Sequence, residues 1–90
     1  MIKKMSKNEL KSKGTKLKST VHIGKEGLSA AVVDEVGNQL RANKLVKIKI
    51  LESSAEFKHA IAEELTIKTG AALLEIRGNT ILICQKDILK

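Results

Sequence analysis

Gly24-Lys25-Glu26-Gly27 sets two glycines around a cation, directly behind the short apolar run Val21-His22-Ile23 and ahead of Leu28-Ser29 and a helical pattern. Glycines permit backbone angles and close approaches that a Cβ would block. A helix that starts behind such a loop turns unpaired N–H groups and the positive end of its dipole toward it. The chemistry this arrangement suits is the holding of an anion, phosphate above all. The plainer reading of the same four residues is a tight strand-to-helix turn, and a motif this short needs support from its surroundings.

Other chemistries find little footing. His22 falls in a strand and His59 on a helix, with no serine or cysteine set beside either by the sequence. Glu63 and Glu64 are neighbours, so on a helix they diverge and form no acid–base dyad. The loop lacks the long glycine spacing and the Lys-Ser/Thr pair of a Walker motif, and the third glycine of a dinucleotide fingerprint. Cys84 is the single cysteine, without a CxxC partner or a histidine at metal spacing, and reads as a small buried hydrophobe. The expectation is therefore a non-enzymatic protein with no catalytic residue, no metal and no cofactor.

Charge gives the loop its context. The chain of 90 residues carries a net charge of +7. Residues 1–27 hold eight lysines against Glu9 and Glu26, whereas residues 28–90 hold nine basic against eight acidic side chains. An excess gathered ahead of the loop suggests a polyanionic partner, although a solvated lysine-rich terminus would look the same. Hydrophobic residues make up 42% of the chain, enough for one folded core. Phe57 is the only aromatic, so base stacking of the kind used by RNA-recognition motifs and OB-folds has no foundation here. No apolar run reaches the length of a membrane span and no signal-peptide core follows Met1-Ile2-Lys3-Lys4, so a cytoplasmic location is expected.

The elements that would position the loop follow from periodicity. Residues 1–5 are expected to be a flexible start, and residues 6–90 the domain. Ser6-Lys7-Asn8-Glu9 fits a capping box opening a short helix that buries Leu10 and ends at Gly14-Thr15, with Leu17 helping to pin it. Ser19 to Ile23 forms the first strand. Ser29 caps a helix to about Ala42 whose apolar stripe is Val32, Val33, Val36 and Leu40, with Gly37 a candidate close contact and Asn43 a stop. In Leu45–Leu51, Val46, Ile48 and Ile50 share one face and Lys47 and Lys49 the other. Ser53-Ser54-Ala55-Glu56 fits a second capping box before Phe57, Ile61 and Leu65, and Thr69-Gly70 closes that helix. Strands Ala71–Arg77 and Thr80–Lys86 flank a Gly78-Asn79 hairpin turn. The result is a single small α/β domain, α-β-α-β-α-β-β, with a mixed four-stranded sheet packed with helices.

A GxxG loop at a strand–helix junction is the device with which KH modules clamp a nucleic-acid backbone. Small residues let phosphates reach the amides, and a central lysine adds charge without selecting a base. Loop and polarised charge together point to nucleic acid. The run from Leu10 to Ser29 (LKSKGTKLKSTVHIGKEGLS) also resembles the opening of the CRM domain, in its stand-alone YhbY-type form. The likeness continues through Leu45–Ile50, Lys68-Thr69-Gly70-Ala71 and Gly78–Ile83, and so covers roughly residues 8 to 86.

This resemblance implies a fold like the C-terminal domain of translation initiation factor three. It also implies binding to large-subunit ribosomal RNA or its precursor particle during ribosome maturation. The family's RNA-contacting loop maps onto Gly24, Lys25, Glu26 and Gly27, and its basic surface onto Lys11, Lys13, Lys16 and Lys18, with Lys47 and Lys49 matching a basic strand. Cys84 and Gln85 stand where many members carry an aromatic and an arginine, and Glu26 offsets Lys25 within the loop. The rival expectations are a DNA-coating architectural protein, since phosphate contacts carry no sequence information, and a subunit that binds acidic protein partners. Neither a membrane nor a small-molecule substrate is expected.

Overall fold

Alternation in the strands and helical spacing between them give a sheet covered unequally on its two sides. In the computed structural model, which describes residues 3–24, 27–51 and 56–90, the order is α1 (Lys7–Thr15), β1 (Val21–Ile23), α2 (Ala30–Asn43), β2 (Leu45–Ile50), α3 (Lys58–Thr69), β3 (Ala72–Arg77) and β4 (Thr80–Cys84). A 3-10 turn at Lys86–Ile88 follows. The four strands lie in the order β1-β2-β4-β3. β1 and β2 run parallel, as the α2 crossover between them requires, and β4 is antiparallel to both its neighbours. The expected α/β order and mixed sheet are those observed.

α2 and α3 cover one face. Val21, Ile23, Val46, Ile48, Ile50, Ile81 and Ile83 project from the strands against Val36, Leu40, Ile61, Ala62 and Leu65, and all are buried. This core is wholly aliphatic. Ser29 caps α2 by accepting from the Val32 N–H at 3.2 Å. Lys44 ends α2 in the left-handed region at φ 68°, one residue past Asn43, which remains helical. α3 stops at Gly70, φ 73°, the glycine position expected from its sequence.

α1 and the C-terminal turn cover part of the other face. Leu10, Leu74, Leu82, Cys84 and Ile88 form a second, smaller core there. The α1 capping box is present: the Ser6 hydroxyl accepts from the Glu9 N–H and the Glu9 carboxylate accepts from the Ser6 N–H, each at 3.2 Å. The bond from the Ser6 N–H, and after it the Ser6 hydroxyl, hold the Glu9 carboxyl below its ordinary pKa. Met5, at the expected boundary of the domain, pairs with the C-terminus: its N–H donates to the Ile88 carbonyl at 2.7 Å and its carbonyl accepts from Lys90 at 2.9 Å.

Several local readings need correction. α1 ends at Thr15 as expected, but Gly14, its penultimate residue, is buried, and a Cβ there would stand 2.3 Å from Leu82 Cδ2. Gly37 is no close contact; a Cβ there would meet only Arg41 Nη1 at 3.6 Å. Phe57 does not belong to the α3 core stripe: it precedes the helix, offers it no side-chain cap, and is 56% exposed. Ser53, Ser54 and Ala55 of the second capping box lie outside the described residues. Leu17 adds little burial, being 38% exposed. β1 begins at Val21, β3 at Ala72, and β4 ends at Cys84, each shorter than expected.

Candidate nucleic-acid interface

The glycine loop sits at the carboxyl end of β1. Its two ends are joined by a backbone hydrogen bond from the Gly27 N–H to the Gly24 carbonyl at 2.9 Å. Gly27 has φ 69°, a conformation that a Cβ disfavours. Gly24 is restricted for a different reason: a Cβ there would stand 3.1 Å from Leu51 Cδ1. Lys25 and Glu26 lie outside the described residues. Leu28 and Ser29 then lead into α2, whose first turn holds no acidic residue. Two glycines joined by a hydrogen bond thus lie just ahead of the start of α2.

The lysines expected around this turn are not all beside it. α1 ends where the chain approaches the amino end of β1, whereas the turn lies past the carboxyl end. From Lys18 to Gly24 the chain runs six residues, about 20 Å at an extended rise. Lys13, Lys16 and Lys18 are exposed near the end of α1 and in the link that follows, and Lys11 is half-buried. Lys13 and Lys16 border a groove with Met5, Leu10, Leu17 and Leu45 on its floor. The α1 lysines and the glycine turn therefore form two separate cationic or anion-accepting places.

Lys47 and Lys49 lie between them, and they differ. The Lys47 ammonium donates to the carbonyls of Gly14 at 3.2 Å and Leu17 at 3.3 Å, at the C-terminal end of α1. There a cation meets carbonyls at the negative end of the helix dipole, that of Gly14 also accepting from the Leu17 N–H at 3.1 Å. Its role in the fold is to hold α1 on the sheet. Lys49, one pleat further along the same face, is exposed.

Register reveals neighbours of Lys49 that the linear sequence did not single out. His22 lies directly opposite Lys49 on β1, Thr80 lies opposite it on β4, and Arg77 lies opposite Thr80 on β3. The row His22–Lys49–Thr80–Arg77 thus crosses every strand on one face. His22 and Arg77 are exposed and Thr80 is half-buried. The row one pleat back holds Lys47, Leu82 and Glu75, and there α1 covers the sheet. Arg77, itself exposed, reaches the largely buried Glu75 carboxylate at 3.5 Å. Arg77 and Thr80 could have been paired from the sequence, because a two-residue hairpin at Gly78-Asn79 sets its flanking residues opposite one another.

Among the described residues no catalytic grouping emerges beside this face. Cys84 is completely buried, and burial raises its thiol above the ordinary range, which suppresses thiolate chemistry. Among the described residues no cluster of three or more His, Cys, Asp or Glu is placed to hold a metal ion. Gln85, at the position where the CRM pattern often has arginine, accepts from the Lys44 ammonium at 2.9 Å and so serves the fold. No described helix is long and apolar enough to cross a membrane.

Comparison with known proteins agrees with this architecture. The solution structure of a Staphylococcus aureus protein, described as a candidate RNA-binding protein, superposes with a TM-score of 0.78 at 24% identity over 96% of this chain and 90% of its own. That likeness concerns the fold. The probable RNA-binding protein YqeI of Bacillus subtilis is 29% identical over 97% of this chain and 91% of its own length. An RNA-binding protein of Haemophilus influenzae is 29% identical over 86% of this chain and 78% of its own. Neither of these relatives is named as an enzyme. The model of the CRS1/YhbY (CRM) domain matches residues 2–84, nearly the whole length, and the chain belongs to that family.

Proposed function

We propose that this domain is a non-enzymatic binder of structured RNA that acts in the cytoplasm on large-subunit ribosomal RNA or its precursor particle. The observation that carries the reading is the placement of charge. α2 and α3, which cover one face, hold three cations (Arg41, Lys58, Lys68) against four acids (Asp34, Glu35, Glu63, Glu64). The opposite side carries Lys7, Lys11 and Lys13 of α1 together with Lys47, Lys49 and Arg77 against Glu9 and Glu75, and the glycine turn adjoins it. A backbone-reading protein needs this asymmetry, because phosphate contacts supply affinity and orientation. The RNA-binding names of its relatives support RNA as the polyanion.

In this mechanism the amides and Lys25 of Gly24–Gly27 donate to a phosphate, and the lysine surface sets the orientation of the strand. Converting Lys25 and Glu26 together to Asp tests it. Both glycines remain, so the turn still forms, and acids near a helix start are tolerated by its dipole. RNA affinity should fall at least tenfold, about 1.4 kcal/mol, with the melting temperature nearly unchanged. A folded double variant that binds RNA as tightly as the parent would reduce the loop to a turn. Competition between ribosomal RNA and duplex DNA at matched salt separates this reading from an architectural DNA binder.

A further inference from the structure

We infer that the row His22–Lys49–Thr80–Arg77 is a second contact surface for the RNA backbone, bridging the glycine turn and the lysines of α1; the inference rests on the proposed RNA binding. The two expected contact places stand about 20 Å apart along the chain from Lys18 to Gly24. A single strand that touches both must pass over whatever lies between them. What lies between is the uncovered part of the sheet face, and its side chains are those of this row.

The chemistry of the row suits a phosphodiester backbone and no apolar partner. Lys49 and Arg77 are cations, His22 offers ring N–H donation, and Thr80 offers a hydroxyl. Strands lie about 4.8 Å apart, so Lys49 and Arg77, two strands from each other, are separated by about 10 Å at their Cα atoms. Side chains of that length can engage neighbouring phosphates of one strand or flank a single one. Lys49 is free of the α1 carbonyls that occupy Lys47. Arg77 keeps most of its surface in solvent, with Glu75 touching it from one side. The row starts two residues before Gly24, so a phosphate held at the turn has its neighbour within reach of His22 and Lys49.

Among the described residues, α1 stops short of this row for a structural reason. α1 has nine residues, about 13.5 Å of helix, and its end is held over Leu82 by the close approach of Gly14 and by Lys47. The next pleat is therefore left open, and it is the pleat that carries Lys49, Thr80 and Arg77. A small cleft lined by Gly14, Thr15, Lys47, Glu75, Arg77, Thr80 and Leu82 marks the step from covered to open sheet.

The test compares two charge-matched double variants in binding to a labelled RNA hairpin with single-stranded flanks. One is Lys49→Gln with Arg77→Gln; the other, on the helical layer, is Arg41→Gln with Lys68→Gln. Each removes the same charge. The first should weaken binding and reduce the salt slope of log affinity by about 0.7 to 0.9 for each phosphate no longer neutralised, with an unchanged melting temperature. The second should leave the slope as in the parent. Equal slopes and affinities in the two variants overturn the inference, since charge would then act only in bulk. If the parent binds and the loop variant weakens it while the row variant does not, the row alone fails and the proposed function stands. A parent that binds no RNA at any salt overturns both.

Discussion

The α1 side of the sheet is two surfaces in one, and Lys47 and Lys49 define the difference. Both sit on β2, both point the same way, and only one pleat separates them. Lys47 lies where α1 covers the sheet beside Leu82, and its ammonium is spent on helix carbonyls. Lys49 lies where α1 no longer covers the sheet, between exposed His22 and half-buried Thr80. The covered half consists of side chains that hold α1 in place. The open half, among the described residues, presents the donors and cations of one row. The lesson is that a basic residue is assigned by what caps it, and not by its position in an alternating pattern.

The comparison breaks most visibly at Leu82, the centre of the covered half. Leu82→Ala should cost about 2 to 5 kcal/mol, the range for a large-to-small change in a core, seen as a lower denaturant midpoint. The protein that remains folded should bind RNA as the parent does, because Leu82 faces α1. A stability change near zero would mean that α1 contributes no packed core.

Gly14 comes next. Gly14→Ala pushes a methyl group into Leu82 within 2.3 Å of Cδ2, and should cost about 1 to 3 kcal/mol despite alanine's better helix propensity. Gly37→Ala makes the contrast, since only Arg41 Nη1 lies within reach, and should raise stability by up to about 1 kcal/mol. Equal effects at the two glycines would contradict the close approach of α1. The smallest changes fall on the lysines themselves. Lys47→Gln should lower stability by about 1 kcal/mol through the weakened interaction with the end of α1. Lys49→Gln should stay within about 0.5 kcal/mol and act on RNA affinity instead. The reverse assignment, stability at Lys49 and none at Lys47, would sink the division.

Much of this was legible in the chain, for reasons that vary by residue. The stripe Val32, Val36 and Leu40 and the alternation Val46, Ile48 and Ile50 are local signals, and each yields its element with the correct buried face. Ser6 and Glu9, Gly70, and Gly78-Asn79 likewise act on their immediate neighbours. Gly14 was not legible, because a glycine that ends a helix and one that lets it approach a sheet are written alike. Phe57 was misread because four-residue spacing from Ile61 continues past the point where α3 begins. The open row needed strand order. His22, Lys49 and Arg77 come from three strands, and only the register β1-β2-β4-β3 makes them neighbours. The glycine turn was legible as a motif, whereas its separation from the α1 lysines required the length and direction of β1.

The most direct test of RNA backbone recognition by this face is the salt dependence of binding by the parent protein. Affinity for a ribosomal RNA fragment should be measured across a series of monovalent salt concentrations. Log affinity should fall linearly with log salt, by about 0.7 to 0.9 in slope for each phosphate engaged, and a slope of several such steps is predicted from the turn, Lys49, Arg77 and the α1 lysines together. An affinity that stays flat from low to physiological salt would contradict the account.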